Sequence, residues 1–117
     1  MKIKTLQAND VEFIFECEPE HTPVRGNLVV SGDDKQDRKD EDMIINELNS
    51  GNQWVWFCAK VTAKYKGFEG VDYLGCCSYE SEADFKKDGY FEDMKVQALE
   101  DLNRNIANTF KNLPVDA

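Results

Sequence analysis

From Val11 to Glu18 the chain alternates, with Val11, Phe13, Phe15 and Cys17 on one side and Glu12, Glu16 and Glu18, joined by Ile14, on the other. A period of two marks a half-buried strand. Two prolines in PEHTP interrupt it, and VRGNLVVS resumes with β-branched residues. The pattern therefore predicts a hairpin with its loop near Pro19 to Pro23 and a second strand over Val24 to Ser31. GDDKQDRKDED, Gly32 to Asp42, has no apolar residue and reads as a solvated loop or an exposed helix start. Ile44, Ile45 and Leu48 then form a narrow apolar stripe. A short helix is expected over Lys39 to Asn49, with acids in its first turn and Gly51 closing its end.

NQWVWFCAKVTAKY carries the strongest strand pattern, with Val55, Phe57, Ala59, Val61, Ala63 and Tyr65 on one face. The other face begins with Trp54, Trp56 and Cys58 and gives way to Lys60, Thr62 and Lys64. KGFEG supplies a glycine-flanked turn and VDYLGCCSY returns as the partner strand. Pairing Tyr65 with Val71 sets Lys64 opposite Asp72 and turns Tyr73, Gly75, Cys77 and Tyr79 toward the core. Cys77 then points inward and Cys76 outward, so the adjacent thiols are packing residues poorly placed to act together. Neither a strained vicinal disulfide nor an activated thiolate with a neighbouring base is indicated.

Ser81 opens a capping-box-like start in SEAD, and a short helical turn runs to Lys87 and ends at Gly89. Phe91, Met94, Ala98, Leu99, Leu102, Ile106, Phe110 and Leu113 then recur every three or four residues until Pro114, tracing one face of a long helix. The elements add up to an α+β domain spanning residues 1–117. Its order is β-β-α-β-β-α, an antiparallel four-stranded sheet with the long C-terminal helix packed on one face.

Composition narrows the chemistry. A chain of 117 residues, 41% hydrophobic, suits a single core, and its net charge of −9 repels nucleic-acid phosphates and anionic membranes. No run approaches the roughly 18 apolar residues of a membrane span, and MKIKTLQANDVEF lacks a secretory pattern, so a cytoplasmic setting is expected. Cys17, Cys58, Cys76 and Cys77 show no CxxC spacing and read as reduced thiols. His21, the lone histidine, has no paired ligand spacing beside it, and the aspartates after Gly32 lack the glycine and terminal glutamate of a calcium loop. No metal or cofactor is expected. No nucleophile, base and phosphate-loop pattern converges either, so no residue is singled out as catalytic and the chain reads as a non-enzyme.

The stretch DYLGCCSYESEADFKKDGYFEDM, Asp72 to Met94, resembles a recurrent pattern in short uncharacterised proteins of phages and plasmids. The resemblance covers the carboxyl-terminal half and implies a mobile-element setting, without a catalytic motif.

The acids are unevenly spread. Residues 33–42 carry a local balance of −3 and residues 80–101 one of −5. Asp93 and Glu100, seven residues apart on the long helix, stack nearly above one another, with Glu92 beside them and Asp37 and Asp40 in the other acidic segment. Such a surface suits a basic groove on a protein partner, as in DNA-mimicking antirestriction and anti-CRISPR inhibitors of host nucleic-acid-binding proteins. The alternative is a partner-binding or homodimerisation module that uses an outer-sheet patch of Trp54 and Trp56.

Overall fold

The computed structural model describes residues 4–28 and 32–111. It contains β1 (Glu12–Glu18), α1 (Asp34–Asn49), β2 (Phe57–Tyr65), β3 (Phe68–Cys77), α2 (Glu82–Lys87) and α3 (Gly89–Lys111). The sheet has three strands, with β2 between β1 and β3. The described residues divide into two compact units, one built from residues 4–16, 60–73 and 89–111, the other from 17–28, 32–59 and 74–88.

The four-stranded expectation is corrected to three strands. Of the segment expected as the second strand, Val24 to Leu28 forms a turn, while residues 29–31 lie outside the described residues. Turn chemistry outweighs the β-branched composition there. Gly26 takes φ +78, Asn27 donates its backbone N–H to the Val24 carbonyl, and its side-chain amide donates to the Pro23 and Arg25 carbonyls. Helix α1 begins earlier than its apolar stripe suggests because the Asp33 carboxylate accepts the backbone N–H groups of Lys35 and Gln36.

The β2–β3 hairpin also differs in register. Lys66 at φ +46 and Gly67 at φ +85 form a two-residue turn, which places Tyr65 opposite Phe68 rather than Val71. Lys64 consequently meets Glu69 at 3.4 Å, not Asp72, and the Lys60 ammonium lies 5.7 Å from the Tyr73 ring. The shift is by an odd number of residues, so it exchanges the faces of β3. Tyr73, expected inside, is 57% exposed, and Gly70 faces the helix instead.

In the first unit, α3 buries Met94, Ala98, Leu102 and Ile106 of the face its periodicity predicts, while Phe91 and Leu99 are half-buried, Phe110 is exposed and Leu113 lies outside the described residues. Val61 and Ala63 of β2 are buried in the same unit. A Cβ on Gly70 would lie 2.1 Å from the Leu102 nitrogen and 2.3 Å from the Ala98 carbonyl oxygen, so the helix backbone rests directly on this glycine. Along the outer edge of β3, Asp101 accepts the Val71 N–H at 2.9 Å and the Asn105 amide donates to the Glu69 carbonyl at 2.8 Å. Asn103 makes two bonds to the Leu6 backbone, fastening the amino-terminal segment to α3.

In the second unit, Phe57 is the centre of an aromatic cluster. Its ring centroid lies 5.2 Å from Trp54, 5.6 Å from Phe85 and 6.4 Å from Tyr79. Helix α2 has the cap expected of SEAD, Ser81 Oγ accepting the Asp84 N–H at 3.1 Å.

Two substitutions test the first unit. Leu102→Ala should destabilise by about 2 to 5 kcal/mol in urea unfolding, the usual cost of truncating a fully buried leucine. Gly70→Ala should cost at least about 1 to 3 kcal/mol, because backbone rather than a movable side chain blocks the new methyl group. A neutral Gly70→Ala variant would contradict the close approach of α3.

Candidate functional site

The carboxylates singled out from sequence fall into two groups. On α3, Asp93 and Glu100 are both exposed, while Glu92 is exposed and ion-paired with Lys95 at 2.9 Å. Val96, 53% exposed, lies between Asp93 and Glu100 on the side of the helix away from Ala98 and Leu102. In α1, by contrast, Asp37 and Asp40 are half-buried on the same side as Ile44, Ile45 and Leu48. Asp40 accepts a bond from the Gln36 amide at 2.9 Å. Arg25 further offsets this helix's charge. Its guanidinium donates to Glu41 at 3.1 Å and to Asp42, and Glu41 also accepts the Gly26 N–H at 2.8 Å. These donors hold the Glu41 carboxyl below its ordinary range, while the bonds to Asp42 and then Glu41 raise the Arg25 guanidinium. Of the five carboxylates singled out from sequence, the exposed ones, Glu92, Asp93 and Glu100, are all on α3.

Trp54 and Trp56 do not sit on a strand face. Residues Gln53–Val55 form a 3-10 turn, whose start is capped by Asn52, and β2 begins only at Phe57. Trp56 is 4% exposed and its indole N–H donates to the Thr22 carbonyl at 2.8 Å; Trp54 is half-buried with its ring on Phe57. An outer-sheet patch made of these two residues is corrected accordingly: they help to build the core of the second unit.

The structure brings together a group that sequence patterning passed over. Glu20, in the PEHTP loop, accepts the Cys76 backbone N–H on Oε1 at 2.5 Å and the Thr22 N–H on Oε2 at 3.2 Å. Cys76 has φ +55, a left-handed conformation rare outside glycine, and a Cβ on Gly75 would lie 2.8 Å from Glu20 Oε1. Burial alone would raise the Glu20 carboxyl, but the N–H donors of Cys76 and Thr22 prevail and hold it below its ordinary value of 4.5. A glycine inside a strand pattern beside a second irregular residue is the sequence signal of such a bulge.

The same backbone feature settles the orientation of the paired thiols. With Gly70 facing α3, strict alternation would send Cys76 to that face and Cys77 away. The left-handed residue breaks the alternation, and Cys77 is buried while Cys76 is exposed. Burial pushes the Cys17 and Cys77 thiols up to about 11 and also raises those of Cys58 and Cys76, with Glu20 adding repulsion at Cys76. All four are therefore protonated at neutral pH and weak as nucleophiles. Among the described residues no three His, Cys, Asp or Glu side chains converge as metal ligands, and no helix is long and apolar enough to cross a membrane.

Glu20 also lines a cavity of about 260 Å³ in the second unit, with Leu48, Trp56 and Phe57 as apolar wall and Cys17 and Gln53 beside them. A second cavity, of about 310 Å³, lies in the first unit between Leu6, Phe68, Ile106 and Phe110 and is rimmed by Lys4 and Lys66. No family model matches the chain, and neither a curated protein nor a solved structure matches it significantly.

Two measurements check the Glu20 socket and the thiols. In an NMR pH titration, the Cys76 and Thr22 amide signals should move together as pH falls below about 4.5, since a depressed folded-state value means that the contribution is complete above the unfolded value and lost on acidification through the folded one. At pH 7.5, iodoacetamide should modify all four cysteines more slowly than free cysteine, with exposed Cys76 first. Rapid modification of Cys17 or Cys77 in the folded chain would contradict their raised values.

Proposed function

We propose that this chain is a small, acidic, non-enzymatic binding protein that occupies the basic nucleic-acid groove of a protein partner, in the manner of mobile-element inhibitors of host defence proteins. The observation that carries this reading is the outward face of α3. Asp93 and Glu100 are exposed there, one on either side of exposed Val96. Seven residues of helix place the two carboxylates roughly 10 Å apart along the axis, about three phosphate steps of one DNA strand.

The net charge of −9 supports the reading, because long-range attraction to a basic groove speeds encounter while repelling nucleic acid itself. The resemblance of Asp72 to Met94 to phage and plasmid proteins supplies the setting, a mobile-element product working in a host cytoplasm. The aromatic-module alternative has less support, since Trp56 is buried and Trp54 half-buried.

The test is competition. A host protein captured on the immobilised chain should bind duplex DNA, and added wild-type chain should release that DNA. Asp93→Lys with Glu100→Lys should weaken release by about tenfold or more in low salt without changing the melting temperature, and the difference should shrink between about 50 and 500 mM salt as screening grows. A captured protein without affinity for nucleic acid, or release that is insensitive both to the reversals and to salt, would overturn the proposal.

A further inference from the structure

The 260 Å³ cavity of the second unit combines an apolar wall with two acidic residues, Glu18 and Glu20. Leu48, Trp56 and Phe57 supply the wall; Trp56 and Phe57 are themselves anchored, the indole by its bond to Thr22 and the phenyl ring by its neighbours Trp54, Tyr79 and Phe85. Glu20 is fixed as well. Its carboxylate accepts the backbone N–H groups of Cys76 and Thr22, one on each oxygen, and the Cys76 thiol and the His21 N–H are further donors that hold it in place. A planar carboxylate fixed in this way is the preferred counter-charge of a guanidinium.

We propose that this cavity receives an arginine side chain presented by a polypeptide. Charge complementarity selects a cation, and the surrounding acidity of the chain raises the local concentration of cations. The apolar wall selects among cations: a guanidinium is weakly hydrated and packs against aromatic groups, whereas an ammonium is a strongly hydrated point charge that loses more on entering. The aliphatic stem of arginine lies against Leu48, and the Gln53 carboxamide offers a further acceptor. The backbone at Gly75 and Cys76 now has a purpose, since the missing Cβ and the left-handed residue let the strand's N–H hold Glu20 in place before a ligand arrives.

The proposal concerns residues other than those of the α3 surface and is tested separately from it. N-acetyl-L-arginine methylamide is titrated into ¹⁵N-labelled wild-type chain and followed by NMR, with the lysine and norleucine analogues as comparisons. The arginine compound should produce saturable shifts at the Cys76 and Thr22 amides and at the Trp56 indole N–H, with affinity about tenfold above either analogue. Glu20→Gln should reduce that affinity about tenfold, whereas Asp93→Lys with Glu100→Lys should leave the shifts unchanged. An absent or non-saturable response, equal binding of the norleucine compound, shifts confined to α3, or unaltered affinity in a folded Glu20→Gln variant would each overturn the proposal. Should Glu20→Gln not fold, the wild-type preference for arginine over both analogues decides alone.

Discussion

Direct contact between a strand glycine and the backbone of a helix governs the first unit. Because Gly70 has no side chain, α3 comes close enough for Asp101 and Asn105 to reach the β3 backbone, and Ala98 and Leu102 can be fully buried there. A larger residue at position 70 would lift the helix away and pull those polar groups out of range together. The same seating determines which side of α3 looks outward, and so where Asp93, Val96 and Glu100 are displayed. Asp72 records how confined the region is: burial first, then the charge of Asp101, raises its carboxyl above the ordinary value despite the opposing bond from the Tyr73 N–H.

Much of this was legible in the sequence where one local signal was decisive. The spacing of Met94, Ala98, Leu102 and Ile106 announces the inward face of α3, and Ser81 announces the start of α2. Legibility failed where two local signals competed. Val24 to Leu28 has strand-forming composition, but Gly26 and Asn27 turn the chain. Trp54 and Trp56 fit the alternation of the following strand, yet Asn52 caps a 3-10 turn beneath them and removes them from it. The hairpin register depended on choosing the turn residues correctly, and a shift of that choice reversed which side of β3 faces inward.

The Glu20 socket was hidden for a different reason. Its carboxylate and its strongest donor, the Cys76 amide, are 56 residues apart, and no spacing rule connects them. In the sequence, GCC advertises the chemistry of sulfur. What the fold uses at Gly75 and Cys76 is backbone: an absent Cβ and a left-handed turn of the chain. The thiols, all shifted toward their protonated form, are bystanders to that geometry.

The bonds from Asp101 and Asn105 to β3 bear on how the chain behaves in a crowd. A sheet edge with free N–H and carbonyl groups is a template on which another molecule's strand can grow, and many proteins rely on charge repulsion to discourage it. Here the helix already occupies the Val71 donor and the Glu69 acceptor. Repulsion vanishes at the isoelectric point, but the carboxamide of Asn105 does not titrate. At Val71 and Glu69, therefore, this edge is blocked to strand addition by occupancy, through the way the helix is seated, and at the Glu69 carbonyl the block does not depend on charge.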